Sequence, residues 1–175
     1  MRWLLVTIIA YGCLLIETAV FRPGGLSFQV DGHWARPDLM LVIGLFLAFY
    51  FEPAQVFVAG WCLGLASDLV SVAGRLGLKA LLFCLVLAAI SALRAEIPRT
   101  RIWVQFLLTL LVVFAVHLAW YAVTRLASGV GLWLARSAEE ALLDGLYSAL
   151  LAPSLLAALT ALRGPLRISV ASRTD

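Results

Sequence analysis

Few side chains inside the apolar stretches of this chain are able to do chemistry: Glu17, Asp68, His117, Asp144 and the thiols Cys13, Cys62 and Cys84. A thiol in such surroundings behaves as a small hydrophobe, so the cysteines read as packing residues. His33 and His117 have no Cys or Glu partner at metal-ligand spacing, and no paired acids, triad or phosphate-binding loop is present. The expectation is therefore a protein with no catalytic residue, no metal and no cofactor, not an enzyme. The acids still need an account, because an ionisable group at membrane depth is costly unless it is paired or wet.

The most informative run is Gly60-Trp61-Cys62-Leu63-Gly64-Leu65-Ala66-Ser67-Asp68. Gly60, Gly64 and Asp68 are spaced four apart and share one helical face, with Ser67 and Ser71 beside it. Two glycines let a second helix approach the backbone closely. Asp68 then caps a helix or pairs with Arg75 or Lys79 at the membrane edge. Its alternatives are control of a conformational change, a partner contact, or passage of a substrate or proton. Glu17 reads as an anchor paired with Arg22 or Arg36, and His117 as a neutral ring satisfying a buried neighbour. Asp144 is placed in the first turn of the last helix, where acids are favoured, and Pro153 is expected to bend that helix.

The elements that carry these residues follow from composition. Of 175 residues, 63% are hydrophobic and 13% charged, with a mean hydropathy of +1.02. A water-soluble fold of this size has no means of hiding so much apolar surface. The pattern predicts an all-α polytopic membrane protein, a compact bundle of six transmembrane helices at about 3–21, 37–51, 54–73, 76–93, 102–124 and 141–162. These form a single domain over 1–163, followed by a short cytoplasmic tail, 164–175.

The first block, Trp3 to Phe21, is long enough to cover about 28 Å of a hydrocarbon core roughly 30 Å thick. Glu17 and the lack of a small-x-small site before Phe21 mark it as an uncleaved signal-anchor. The connection from Arg22 to Arg36 has no strong period. Pro37 and Asp38 open the second block, Asp38 as a cap for free amides. From Leu39 to Phe51 that block reaches only about 20 Å, so it must borrow flanking residues, tilt little, or lie against protein instead of lipid. Glu52-Pro53 makes a tight turn into the third helix.

With the amino terminus inside, seven basic residues (Arg2, Arg94, Arg99, Arg101, Arg163, Arg167, Arg173) face the cytoplasm and six the other side. That balance places both termini in the cytoplasm, with a five-helix arrangement, the second or sixth helix re-entrant, as the alternative. The formal net charge of +3 points to anionic lipid headgroups, and no nucleic-acid-binding tract is present.

Arg36-Pro37-Asp38 before a short apolar helix, then Gly60-x-x-x-Gly64-Leu65-x-x-Asp68-Leu69 and Leu76-Gly77-x-x-Ala80, resembles the rod-shape-determining MreD family of bacterial inner-membrane proteins. The resemblance covers most of the chain. It implies a non-enzymatic scaffold of the cell-elongation machinery, which maintains rod shape by organising lateral peptidoglycan synthesis. The partners it implies are a bitopic MreC-like protein, the actin-like MreB filament, and a RodA-type glycosyltransferase with its class B transpeptidase. The residues it carries over for helix packing or partner contact are Pro37, Asp38, Gly60, Gly64, Asp68 and Gly77. The family's helical arrangement is also similar to that of the substrate-binding subunits of energy-coupling-factor transporters.

The mechanism this suggests is helix-mediated assembly, in which the glycine face orders the bundle and outer helices dock a partner's transmembrane segment. The alternative function is a small-molecule-binding subunit of a membrane transporter. That role requires an internal polar cavity lined by residues from several helices, not one seam ending in Asp68.

Overall fold

A computed structural model describes residues 2–21, 25–30, 33–70, 76–96, 101–127, 129 and 134–161. The expected tail, 164–175, lies outside the described residues. Six helices, α1 (Arg2–Val20), α2 (Leu39–Tyr50), α3 (Pro53–Val70), α4 (Leu78–Leu93), α5 (Ile102–Ala127) and α6 (Leu134–Ala161), form an all-α bundle. A small antiparallel hairpin, β1 (Phe28–Val30) and β2 (His33–Ala35), joins α1 to α2 with Phe28 opposite Ala35 and Gln29 opposite Trp34. The connection read as unpatterned thus carries local order, which strands of three residues are too short to announce by alternation.

Three helices, Pro53–Val70, Ile102–Ala127 and Ala135–Ala161, are long and apolar enough to cross a membrane, and the other three are shorter apolar helices. The outer faces are apolar in helical register. Leu4, Ile8, Tyr11 and Leu15 form a stripe on α1, Trp103, Leu107 and Leu111 on α5, and Leu142, Leu146 and Leu150 on α6, all exposed. Soluble monomers seldom expose such continuous apolar surface, whereas lipid requires it.

Helix α2 is the axis of the bundle. Every residue from Leu39 to Phe49 is buried, as expected of a helix apolar on all sides. At 12 residues it rises about 18 Å. Its short length is resolved by the third of the options open to it, since protein and not lipid surrounds it. Asp38 caps its start, accepting from Leu41 N–H at 2.9 Å. At its far end the Phe51 carbonyl accepts from the Arg94 guanidinium, a cation where the helix dipole favours one. Pro53 then occupies the first turn of α3, where its missing N–H leaves no bond unmade.

The glycine face of α3 lies against α4. A Cβ on Gly64 would come within 2.7 Å of Ala80 N and 3.0 Å of Lys79 C. One on Gly60 would sit 3.4 Å from Cys84 Cα. The seam is therefore closed inside the protein and is not itself an outer docking face. Leu87, fully buried, fills the space beside Gly44 and Gly60 and so locks α4 to α2 and α3 together.

Helix α6 begins at Leu134, well ahead of the boundary at Ala141 expected from hydropathy. The polar stretch from Arg136 to Glu140 is helical because its charges are paired: Arg125 meets Glu140 at 2.8 Å, and Arg136 lies 3.4 Å from the same carboxylate. Asp144 consequently stands in the third turn, too far along for the helix-terminus explanation to apply. Pro153 lies within α6, which continues past it to Ala161.

Candidate functional site

The end of the bundle where α1 and α3 finish and α2 and α4 begin encloses a polar cavity of about 390 Å³. Its walls come from the five helices other than α2, the hairpin and the residues that lead into α2: Glu17, His33, Trp34, Arg36, Pro37, Asp38, Ser67, Val70, Lys79, His117, Trp120, Tyr121 and Asp144. The elements meet at this one level because alternate helices run in opposite directions, so polar residues toward the carboxyl ends of α1, α3 and α5 meet the cap of α2 and those toward the amino ends of α4 and α6.

His117 stands between two buried carboxylates, with Nδ1 3.0 Å from Asp144 Oδ2 and Nε2 3.1 Å from Asp38 Oδ2. A neutral imidazole has one N–H, so both contacts are hydrogen bonds only when the His117 ring or one of the two acids carries an additional proton. Tyr121, one helical turn on, donates to Asp144 Oδ2 at 3.0 Å. The other Asp144 oxygen receives Arg36 N–H at 3.0 Å and faces His33 Nε2 at 3.1 Å. Ser148, a turn beyond Asp144, accepts from Asp38 N–H at 2.9 Å and donates to the Asp144 carbonyl at 2.7 Å. The hairpin, the start of α2, α5 and α6 are thereby joined by one network whose participating side chains are buried or half-buried.

Two buried polar atoms on the cavity residues have no hydrogen-bond partner among the described residues: Glu17 Oε2 and Trp120 Nε1. Lys79 donates to Ser67 Oγ at 3.2 Å and lies 5.4 Å above the Trp120 ring.

Pro37 and Asp38 open α2 at the cavity floor and are both buried. Asp38 is cap and network member at once. Of the roles expected of Asp68, capping a helix is the one seen, and no ion pair with Lys79 forms. Its Oδ2 accepts from Gly77 N–H at 2.8 Å and Ala80 N–H at 3.4 Å, which caps α4. Arg75 lies outside the described residues, and Lys79 is turned to Ser67. Gly77 has φ of +95°, a left-handed conformation that glycine adopts freely. Gly60 and Gly64 are in the α3–α4 seam, away from the cavity. The six residues singled out by motif thus divide between a cavity end and a packing seam.

Sequence reasoning missed that Asp144, His117, His33 and Asp38 meet. A signal existed in the i, i+4 pairs His117 and Tyr121 on α5 and Asp144 and Ser148 on α6, two short polar stripes on otherwise apolar helices. For Glu17, the expected partner Arg22 lies outside the described residues, and Arg36 instead offers its backbone N–H to Asp144. His117 does satisfy buried neighbours, two of them and both acidic.

Chemically the arrangement holds charges together and leaves a recess with polar walls beside them. The acidic and imidazole groups are spent on one another, and among the described residues no set of His, Cys, Asp or Glu is grouped to hold a metal ion. No curated protein and no solved structure matches the chain. A family model described as rod shape-determining protein MreD matches residues 1–160, nearly the whole described bundle. The chain accordingly belongs to the MreD family, non-enzymatic membrane scaffolds of the cell-elongation machinery.

Proposed function

We propose that the bundle crosses the inner membrane six times with both termini in the cytoplasm, and that it holds the transmembrane helix of a bitopic MreC-like partner. The observation carrying this reading is an apolar groove of about 270 Å³ between α1 and α3. Val6, Ala10 and Leu14 line one wall and Ala59, Cys62 and Ala66 the other, with Met40 and Leu47 of α2 at its base. Small residues in helical register let a helix backbone approach, which drives association in lipid where no hydrophobic effect acts between helices. Family membership supplies the elongation context in which such a partner acts. The MreB filament and a RodA-type glycosyltransferase with its class B transpeptidase would be reached through that partner and through the cytoplasmic loops, whose arginines also favour anionic lipid.

Co-purification in mild detergent tests the groove. Ala59→Trp and Ala66→Trp, which fill it, should each lower recovery of the MreC-like protein at least fivefold at unchanged protein level, and the cells should round. Undiminished recovery from both variants would overturn the docking site.

The polar cavity favours a second reading, the small-molecule-binding subunit of a transporter, because that role requires residues from several helices around an internal recess. It also requires an energising ATPase pair. Appearance of such a pair, in place of wall-synthesis proteins, in the same purification would decide for it.

A further inference from the structure

We infer that His117 is a doubly protonated imidazolium clasping α5 to α6 and to the start of α2, and that loss of one of its protons as the pH rises releases the clasp at Asp38. The inference concerns this cluster alone and stands apart from the scaffold reading.

Counting protons across the two contacts carries the argument. His117 Nδ1 lies 3.0 Å from Asp144 Oδ2 and Nε2 lies 3.1 Å from Asp38 Oδ2, and each gap needs a proton, because bare lone pairs facing each other at that distance repel. A neutral ring supplies one of the two. The second sits either on the ring or on an acid, and the imidazole is the stronger base, with an ordinary pKa of about 6.5 against about 3.9 for an aspartate. The rest of each acid is dressed as an ionised carboxylate. Asp38 Oδ1 accepts from Leu41 N–H, and Asp144 accepts from Arg36 N–H on Oδ1 and from the Tyr121 hydroxyl on Oδ2. Both protons therefore belong to the ring, which stands as a cation between two anions.

No neighbour is placed to replace the N–H that Asp38 would lose. The ionisable groups lining the recess with His117 and its two acids are Glu17 of α1, His33 of the hairpin, Arg36, Lys79 of α4 and Tyr121 of α5, while α3 adds Ser67 and Val70. His33 and Tyr121 meet Asp144, and Lys79 donates to Ser67. Among the described residues, the Asp38 carboxylate has His117 and Leu41 N–H as its hydrogen-bond partners. Water can reach the ring, since the His117 side chain is 12% exposed and lines the recess. Deprotonation leaves one ring N–H for two carboxylates, so the clasp is closed on the acid side of the transition and open on the alkaline side.

Nitrogen NMR of the full chain, labelled with ¹⁵N at histidine and held in lipid bilayers, tests where the protons are. The chain has two histidines, so His33→Gln leaves His117 alone in the spectrum. Near neutral pH the His117 ring should show two protonated nitrogens. Asp38→Asn keeps the acceptor for Leu41 N–H and turns an amide donor toward Nε2, so its His117 should show one protonated and one bare nitrogen. The thermal midpoint gives a second readout that a merely structural role would not move. From about pH 7 to about pH 10 the parent midpoint should fall by roughly 5 °C or more, and that of Asp38→Asn by less than half as much. Elution volume shows whether each variant is folded, and if either is not, the parent midpoint profile decides. A bare ring nitrogen on His117 near neutral pH in a folded His33→Gln chain, a parent midpoint that is flat into the alkaline range, or an equal fall in folded Asp38→Asn would overturn the proposal.

Discussion

Each carboxylate oxygen of Asp144 has two partners, Arg36 N–H and His33 on one, His117 and Tyr121 on the other. Removing a central member of such a network strands the rest in a low-dielectric interior, where an unpaired charge is far more costly than an absent pair. His117→Phe keeps the ring's bulk and deletes both nitrogens, so Asp38 and Asp144 lose their shared partner. The expected loss is about 3–5 kcal/mol, read as a marked fall in the thermal midpoint of the detergent-solubilised protein. A midpoint within two or so degrees of the parent would count against a structural role for the network. Gly77 offers a milder test. Its φ of +95° makes Gly77→Ala unfavourable by about 1–2 kcal/mol, although the space around a Cβ there is open. A destabilised Gly77→Ala beside an unaffected Gly12→Ala, a position equally open and without positive φ, isolates backbone conformation from packing.

At the scale of elements, the α3–α4 pair and the buried α2 make one unit. Gly64 permits α4 to approach because a side chain there would meet main-chain atoms of Lys79 and Ala80, which have no rotamer to yield. Gly44 and Gly60 meet a leucine side chain that has some freedom. Gly64→Leu should therefore separate the helices, lower recovery of the partner and round the cells, whereas Gly60→Ala should be tolerated far better. Normal partner recovery with Gly64→Leu at normal protein level would sink the assembly role given to this seam. The Gly-x-x-x-Gly spacing was legible because a four-residue period puts both glycines on one face. That the face turns inward was not legible, since the same spacing serves an internal seam and an intermolecular one equally well.

For the whole molecule, the directions of the six helices put the hairpin and cavity at one end and the Glu52 turn with Arg94 at the other. If the chain crosses six times with the amino terminus inside, Leu26→Cys in an otherwise cysteine-free chain should react with a membrane-impermeant maleimide on intact spheroplasts. Glu52→Cys should react only after permeabilisation. Labelling of both from outside would remove the six-crossing arrangement. The cavity would then open on the outer side, where Trp34 and the exposed Phe28 stand near the interface that aromatic residues favour.

Composition and apolar block length were enough to determine a helical membrane protein, and ordered local motifs were enough to point to its family, because lipid leaves the backbone few ways to satisfy its own hydrogen bonds. The cap at Asp38, the turn at Pro53 and the close approach at Gly64 are equally local and could be read from neighbouring residues. Only the tertiary structure decided that α2 is wrapped by protein, that Asp144 lies in the third turn of a longer α6, and that Asp38, His117, Asp144 and His33 converge. Those outcomes depend on contacts between residues as far apart in the chain as His33 and Asp144. In a chain where nearly every helix is apolar, hydrophobic pattern cannot say which face meets lipid and which meets protein. The scattered polar side chains do say it, but only once they are seen together.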